Sequence, residues 1–246
     1  MRRCFVVPRN AFTLVELLVV ISIIALLMGV LLPALTAARK QGQATVCRSN
    51  LRQIGIALNF YAEAWNWFVP RGTGSSGNTW FQQVMPYLGG RQKMVDFRDV
   101  KIYRCPGYPN KNQPICYVVN GWRFTSPSDT TGTTIEEPTR IFGLKKLDTK
   151  IYMADSEDGA WREIVIDPNH ASWFENDVWS TNHLASNVSA TQTESNGRRV
   201  ARIRHSQGKT RPGCHYLFLD WHVEWMTPGD EIKDVKELIK KWNYDF

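Results

Sequence analysis

Twenty-two residues without a charge, Leu17 to Ala38, constrain this chain more than any other stretch. A helix of that length, at about 1.5 Å per residue, covers the roughly 30 Å of hydrocarbon in a bilayer. A cleaved signal peptide fits less well, because its apolar region is only about 7–15 residues long and ends in a small-residue cleavage site. Here the apolar run continues into further helical sequence.

Glu16 breaks the pattern at the start of the run. A carboxylate against lipid is expensive unless a cation meets it, so its presence predicts a task. The preceding segment, Met1 to Ala11, carries Arg2, Arg3 and Arg9 and no acidic residue, which holds that end on the cytoplasmic side. A cut between Ala11 and Phe12 would create an α-amino group four residues before Glu16. The two charges could then pair within one chain or between neighbouring chains, where pairing would set the axial stagger.

The segment Ala11-Phe12-Thr13-Leu14-Val15-Glu16-Leu17-Leu18-Val19-Val20-Ile21 resembles the cleavage and methylation signature of type IV prepilins and type II secretion pseudopilins. The resemblance implies cleavage after Ala11 by a prepilin peptidase and methylation of Phe12. It also implies that Glu16, fifth in the mature chain, guides assembly, and that Pro33 stands where the family often bends its helix. Ala11 departs from the family's glycine before the cut.

The formal charge of +7 falls to +4 once the three leader arginines are removed. That surplus is small and scattered, so no nucleic-acid partner is expected; Arg198, Arg199, Arg202 and Arg204 read as a solvated edge. Of five cysteines, Cys4 leaves with the leader, and Cys47, Cys105, Cys116 and Cys214 remain. An exported domain with four cysteines predicts disulfides with three possible connectivities, and loop length alone favours Cys105 with Cys116. No two of these cysteines have the short spacing of a zinc ligand pair, so zinc is not expected.

Cys47, Leu51, Ile54, Leu58, Tyr61 and Trp65 fall on one helical face, so the helix should continue beyond the membrane segment, with a kink or local melting near Gly29 and Pro33. A sheet is the expected partner for that stripe. Residues 71–78 read as a loop, Trp80 to Leu88 as a short helix, and Ile102 to Pro106 as the start of an extended stretch. A strand entering a turn is predicted within Cys116–Trp122 and a buried strand at Lys150–Ala154. Asp155, Glu157 and Asp158 follow as an acidic turn that lacks most of a calcium loop, leaving calcium a minor alternative. Residues 181–197 read as a polar surface excursion. His215–Leu219 and His222–Met226 predict a hairpin joined by the two residues Asp220 and Trp221, and Ile232, Val235, Leu238, Ile239 and Trp242 predict a final helix.

His205, His215, Asp220 and His222 raise a metal or hydrolytic site, but the hairpin reading does not bring all four together. The chain has no Gly-x-Ser-x-Gly elbow and no His-Glu-x-x-His pair. Ten tryptophans exceed ordinary usage; core or interface packing is the first reading, and Trp161, Trp173 and Trp179 leave a glycan-binding face as the alternative.

Further segments extend the resemblance: Cys47-Arg48-Ser49-Asn50-Leu51, Arg104-Cys105-Pro106, Met153-Ala154-Asp155-Ser156, Arg204-His205 and Asp220-Trp221-His222-Val223. They are similar to a large prepilin-type family of planctomycete and verrucomicrobial-type bacteria whose C-terminal hallmark is a histidine followed by Asp-Gly-His-Val. His205, Asp220 and His222 match that hallmark. Trp221 replaces its glycine, and the spacing from His205 is longer than the family's. The resemblance implies pairing of Cys47 with Cys105, leaving Cys116 for Cys214.

The expectation is therefore an α+β, pilin-like protein: leader 1–11, membrane and assembly half-helix 12–38, amphipathic half-helix 39–66, and head 67–246 with an antiparallel sheet and a short C-terminal helix. It would be a non-enzymatic fibre or pseudopilus subunit without a cofactor, partnered by the peptidase, other subunits and the inner membrane, with its C-terminal domain outside the cytoplasm. The alternative is a membrane-tethered glycan-binding domain.

Overall fold

The computed structural model describes residues 13–70, 79–89, 97–121, 139–157, 177–178, 200–201, 203–207 and 211–227. The chain divides into two units, Met1–Arg39 and Lys40–Phe246. Helix α1, Leu14–Ala64, is 51 residues long and runs through Gly29 and Pro33 without a break in its helical assignment.

Residues 13–42 are all exposed. Among the described residues, α1 is the one helix long and apolar enough to cross a membrane. Water cannot be the natural neighbour of so much unshielded Leu, Ile and Val, whereas hydrocarbon is, and the helix satisfies its own backbone there.

From Ala44 onward α1 acquires a buried face. Cys47, Leu51, Ile54 and Leu58 are fully enclosed, as the stripe predicts. Each aliphatic member contributes about 1.5–3 kcal/mol relative to exposure. Trp65 does not extend the stripe: it lies past the helix end and is 56% exposed, stacking on Tyr61 and donating its indole N–H to Tyr87 Oη. The chain turns there because Asn66 and Trp67 both take positive φ, which ends a right-handed helix.

The head is built on a sheet whose central strands are β2, Tyr117–Asn120, and β4, Ile151–Asp155. Every residue in both is buried. Continuous burial, rather than alternation, identifies strands covered on both faces. A short strand β1, Phe68–Val69, pairs separately with β3, Thr139–Arg140.

The remaining strands are β5, Asp177–Val178, β6, His205–Gln207, β7, Arg211–Phe218, and β8, Val223–Met226. Their order is β5-β2-β4-β7-β6, with β8 also on β7, and every pair is antiparallel except β2 with β5. The fold is thus α+β and pilin-like, a long N-terminal helix packed on an antiparallel sheet. Gly55 marks the close approach: a Cβ there would stand 2.9 Å from Leu217 Cδ1 on β7.

Three local expectations change. Lys101–Tyr103 is a 3-10 turn rather than extended chain, because Tyr103 must bury its ring against Trp80 while its hydroxyl reaches Phe81 O. The β7–β8 loop has three residues, Leu219 to Trp221, since Phe218 N–H still bonds His222 O. Trp221 has φ 71, the left-handed residue that such a loop requires. Asp155 belongs to β4 and is buried, not part of an exposed acidic turn. The expected C-terminal helix, the 181–197 excursion and Trp161, Trp173 and Trp179 lie outside the described residues.

Candidate functional site

The first turn of α1 shows how the sequence holds Glu16. Thr13 donates both its backbone N–H and its hydroxyl to Glu16 Oε2 at 2.8 Å, and Glu16 N–H returns to Thr13 Oγ1 at 3.3 Å. This reciprocal pair is a capping box of the Thr-x-x-Glu type, satisfying helix donors that have no internal acceptor. Sequence reasoning assigned Glu16 only a charge and missed this, although the Thr13-Leu14-Val15-Glu16 spacing carried the signal. Ala11 and Phe12 lie outside the described residues. Pro33 is in the exposed half of α1.

A second constellation lies inside the head. Cys47 comes from α1, Cys105 from the chain after the 3-10 turn, Asp155 from the end of β4 and His205 from the start of β6. All four are buried, and one sulfur, oxygen or nitrogen from each lies within 4.8 Å of all the others. The Cys47 thiol donates to Asp155 Oδ1 at 3.5 Å, and Cys105 Sγ lies 3.2 Å from His205 Nε2. His205 Nε2 is 3.8 Å from Asp155 Oδ2.

Surrounding groups fix these side chains. Tyr117 donates its hydroxyl to Cys47 Sγ at 3.6 Å. Gly107 lies so close to the imidazole that a Cβ would stand 2.6 Å from His205 Cε1 and 2.8 Å from Nδ1. Arg204 places its guanidinium 4.6 Å above the Tyr108 ring and donates from Nη2 to Ser156 O.

Burial dominates the electrostatics. It pushes the Asp155 carboxyl up to about 6 against the opposing pull of Arg204, and pushes both the Cys47 and Cys105 thiols up. Burial, with His215 and Arg204 adding, lowers His205 to about 3. The imidazole is therefore neutral at pH 7, with a lone pair available.

The structure forms none of the disulfides considered: Cys47, Cys105, Cys116 and Cys214 are buried free thiols. Cys47 and Cys105 are neighbours whose thiols interact with each other, and their sulfurs also contact Asp155 and His205. Cys116 instead reaches Gln113 O at 3.8 Å, and Cys214 Sγ accepts the Arg204 backbone N–H at 3.1 Å. The four groups of the cluster come from four separate segments, so no short spacing in the sequence marks them.

His205, Asp220 and His222 do not form one site. His205 pairs with Gly213 on β7, and Asp220 lies seven residues further along, roughly 20 Å at strand rise. Asp220 instead accepts from the His222 backbone N–H and contacts its imidazole at an exposed hairpin tip, with that ring stacked on Phe218. Glu157 is placed by its carbonyl, which accepts the Tyr108 hydroxyl at 3.2 Å; Asp158 is outside the described residues.

An exposed apolar helix opened by a Thr–Glu capping box and followed by an α+β head defines a pilin-like protein. Family models agree: the prokaryotic N-terminal methylation motif matches residues 8–32, and the family described as Protein of unknown function (DUF1559) matches residues 36–139. Comparison with curated proteins and with solved structures returns no match.

Proposed function

We propose that this chain is a structural subunit that a prepilin peptidase cuts after Ala11 and methylates at Phe12, and that it assembles through α1 into a type IV pilus-like or pseudopilus fibre. The observation that carries the reading is the match of the methylation motif to residues 8–32, together with a helix that is exposed from Leu14 to Gly42 and largely apolar.

Before processing, the helix anchors the chain in the inner membrane, with the basic leader in the cytoplasm and the head outside it. After processing, the amine of Phe12 meets Glu16, most usefully of an adjacent subunit, so that the buried carboxylate is neutralised as helices bundle. Other subunits then replace lipid around the apolar surface. The protein is on this reading a substrate of its processing enzyme, not itself an enzyme.

Mass spectrometry of the N-terminus of the native membrane-extracted protein tests this. An N-methylated Phe12 is expected. A chain that still begins at Met1 in its working location overturns the proposal and leaves α1 as a tether.

A further inference from the structure

We infer that Cys47, Cys105, Asp155 and His205 form a closed, four-coordinate structural site for a divalent zinc ion inside the head.

The spacing of the four ligand atoms matches what a four-coordinate zinc ion needs. Zinc bonds of about 2.0–2.3 Å set ligand-to-ligand separations of roughly 3.3–3.8 Å. With Asp155 Oδ2 as the carboxylate ligand, three separations are 3.2, 3.6 and 3.8 Å, around that range, and one ligand atom from each residue lies within 4.8 Å of the others. The donor set of two thiolates, an imidazole and a carboxylate suits zinc rather than calcium or magnesium, which take oxygen.

Burial of all four residues at 0–5% exposure leaves no open position for water or substrate, which distinguishes a structural from a catalytic site. The ion would displace the two thiol protons to solvent. Two thiolates and a carboxylate exceed its charge by one, and Arg204, whose charge already acts on Asp155, opposes that excess. Tyr117 on Cys47 and Gly107 against His205 provide the outer contacts that orient metal ligands.

A Cys47–Cys105 disulfide is the competing occupant of the same space, and it fits less well. It would remove the thiol protons that Asp155 and His205 now contact, leaving the buried carboxylate only His205 at 3.8 Å and the charge of Arg204 to compensate it. Unpaired buried polar groups are destabilising, charged ones most of all. A metal satisfies all four at once. It would also fasten α1 to β4, β6 and the Cys105 segment, elements that meet nowhere in sequence.

The test uses the full chain, extracted from membranes in detergent. Metal content, intact mass after thiol alkylation and Co2+ substitution are measured on the wild type and on Cys47→Ser, Asp155→Asn, His205→Gln and Cys116→Ser. About one zinc per chain is expected in the wild type and in C116S, with at least a tenfold loss in the other three. The Co2+ form should show a tetrahedral ligand-field spectrum with thiolate charge transfer. Wild type that holds no zinc or Co2+ after reconstitution under reducing conditions overturns the inference. So does a Cys47–Cys105 disulfide in protein isolated without reductant, or full metal content in D155N and H205Q. Because the wild-type measurements require no mutant to fold, the outcome is readable in every case, and it does not depend on processing at Phe12.

Discussion

Trp221 donates its indole N–H to Asn59 Oδ1 at 3.0 Å, joining the β7–β8 loop to α1 across 162 residues of chain. The same tryptophan has φ 71, packs edge-on against Tyr152 and has its backbone carbonyl and Cβ against Gly55. Two demands therefore meet at one residue: the three-residue loop favours glycine there, and the helix interface favours a large ring with a donor.

Trp221→Gly separates these demands. Glycine relieves about 1–2 kcal/mol of left-handed strain, while loss of a large aromatic from a packed site costs about 3–5 kcal/mol when fully buried and less at this half-buried position. The expected net result is a destabilisation of about 1–2 kcal/mol, read as a lower denaturant midpoint. Asn59→Ala should cost about 1 kcal/mol by removing one hydrogen-bond partner, and its effect should shrink in the W221G background because the two residues share that bond.

Gly107→Ala should damage the buried cluster from outside it. The added methyl would overlap the His205 ring, whose movement is opposed by its position in β6. Overpacking of this kind costs about 1–3 kcal/mol, and Tm should fall by roughly 2–4 °C per kcal/mol at this chain length. An unchanged melting curve would mean that His205 has room the structure does not show.

Gly213→Ala probes the other wall. Its Cβ would stand against the Met226 backbone oxygen and 2.9 Å from Trp225 Cζ2, so the rigid partner is β8 rather than a rotatable side chain. Gly213 also pairs with His205 through β6. We expect about 3 kcal/mol of destabilisation and faster amide exchange at Cys214 and Met226, which face each other across β7 and β8.

Local pattern carried much of the fold. The Leu17–Ala38 run, the 4-3-4-3 stripe from Cys47 to Tyr61, and the β-rich stretches within Cys116–Trp122 and at Lys150–Ala154 each announce their element through apolar run, side-chain period or composition. The hairpin was visible but one residue too short, because period-2 alternation cannot distinguish a two-residue loop from a three-residue loop holding a left-handed tryptophan. The buried cluster was harder. Cys47, Cys105, Asp155 and His205 are separated by 58, 50 and 50 positions, and only strand pairing and helix docking bring them together. Asp155 misled most, since an Asp-Ser-Glu-Asp string reads as a solvated turn although its first member ends a buried strand.

Glu16 remains the residue with two physical roles, and two substitutions separate them. Glu16→Gln retains an oxygen able to accept from Thr13 and so preserves the capping box, but it removes the charge that would meet the Phe12 amine. Glu16→Ala removes both. If capping were its whole purpose, E16Q would assemble normally, and E16A would lose only about 0.5–2 kcal/mol of helix-end stability. The assembly role predicts that both variants insert into the membrane at wild-type levels, since removing a charge eases insertion, and that both yield few fibres. Sedimentation of sheared fibres against membrane-retained subunit measures the split. Normal fibre yield from E16Q would show that Glu16 serves its own helix and not its neighbour.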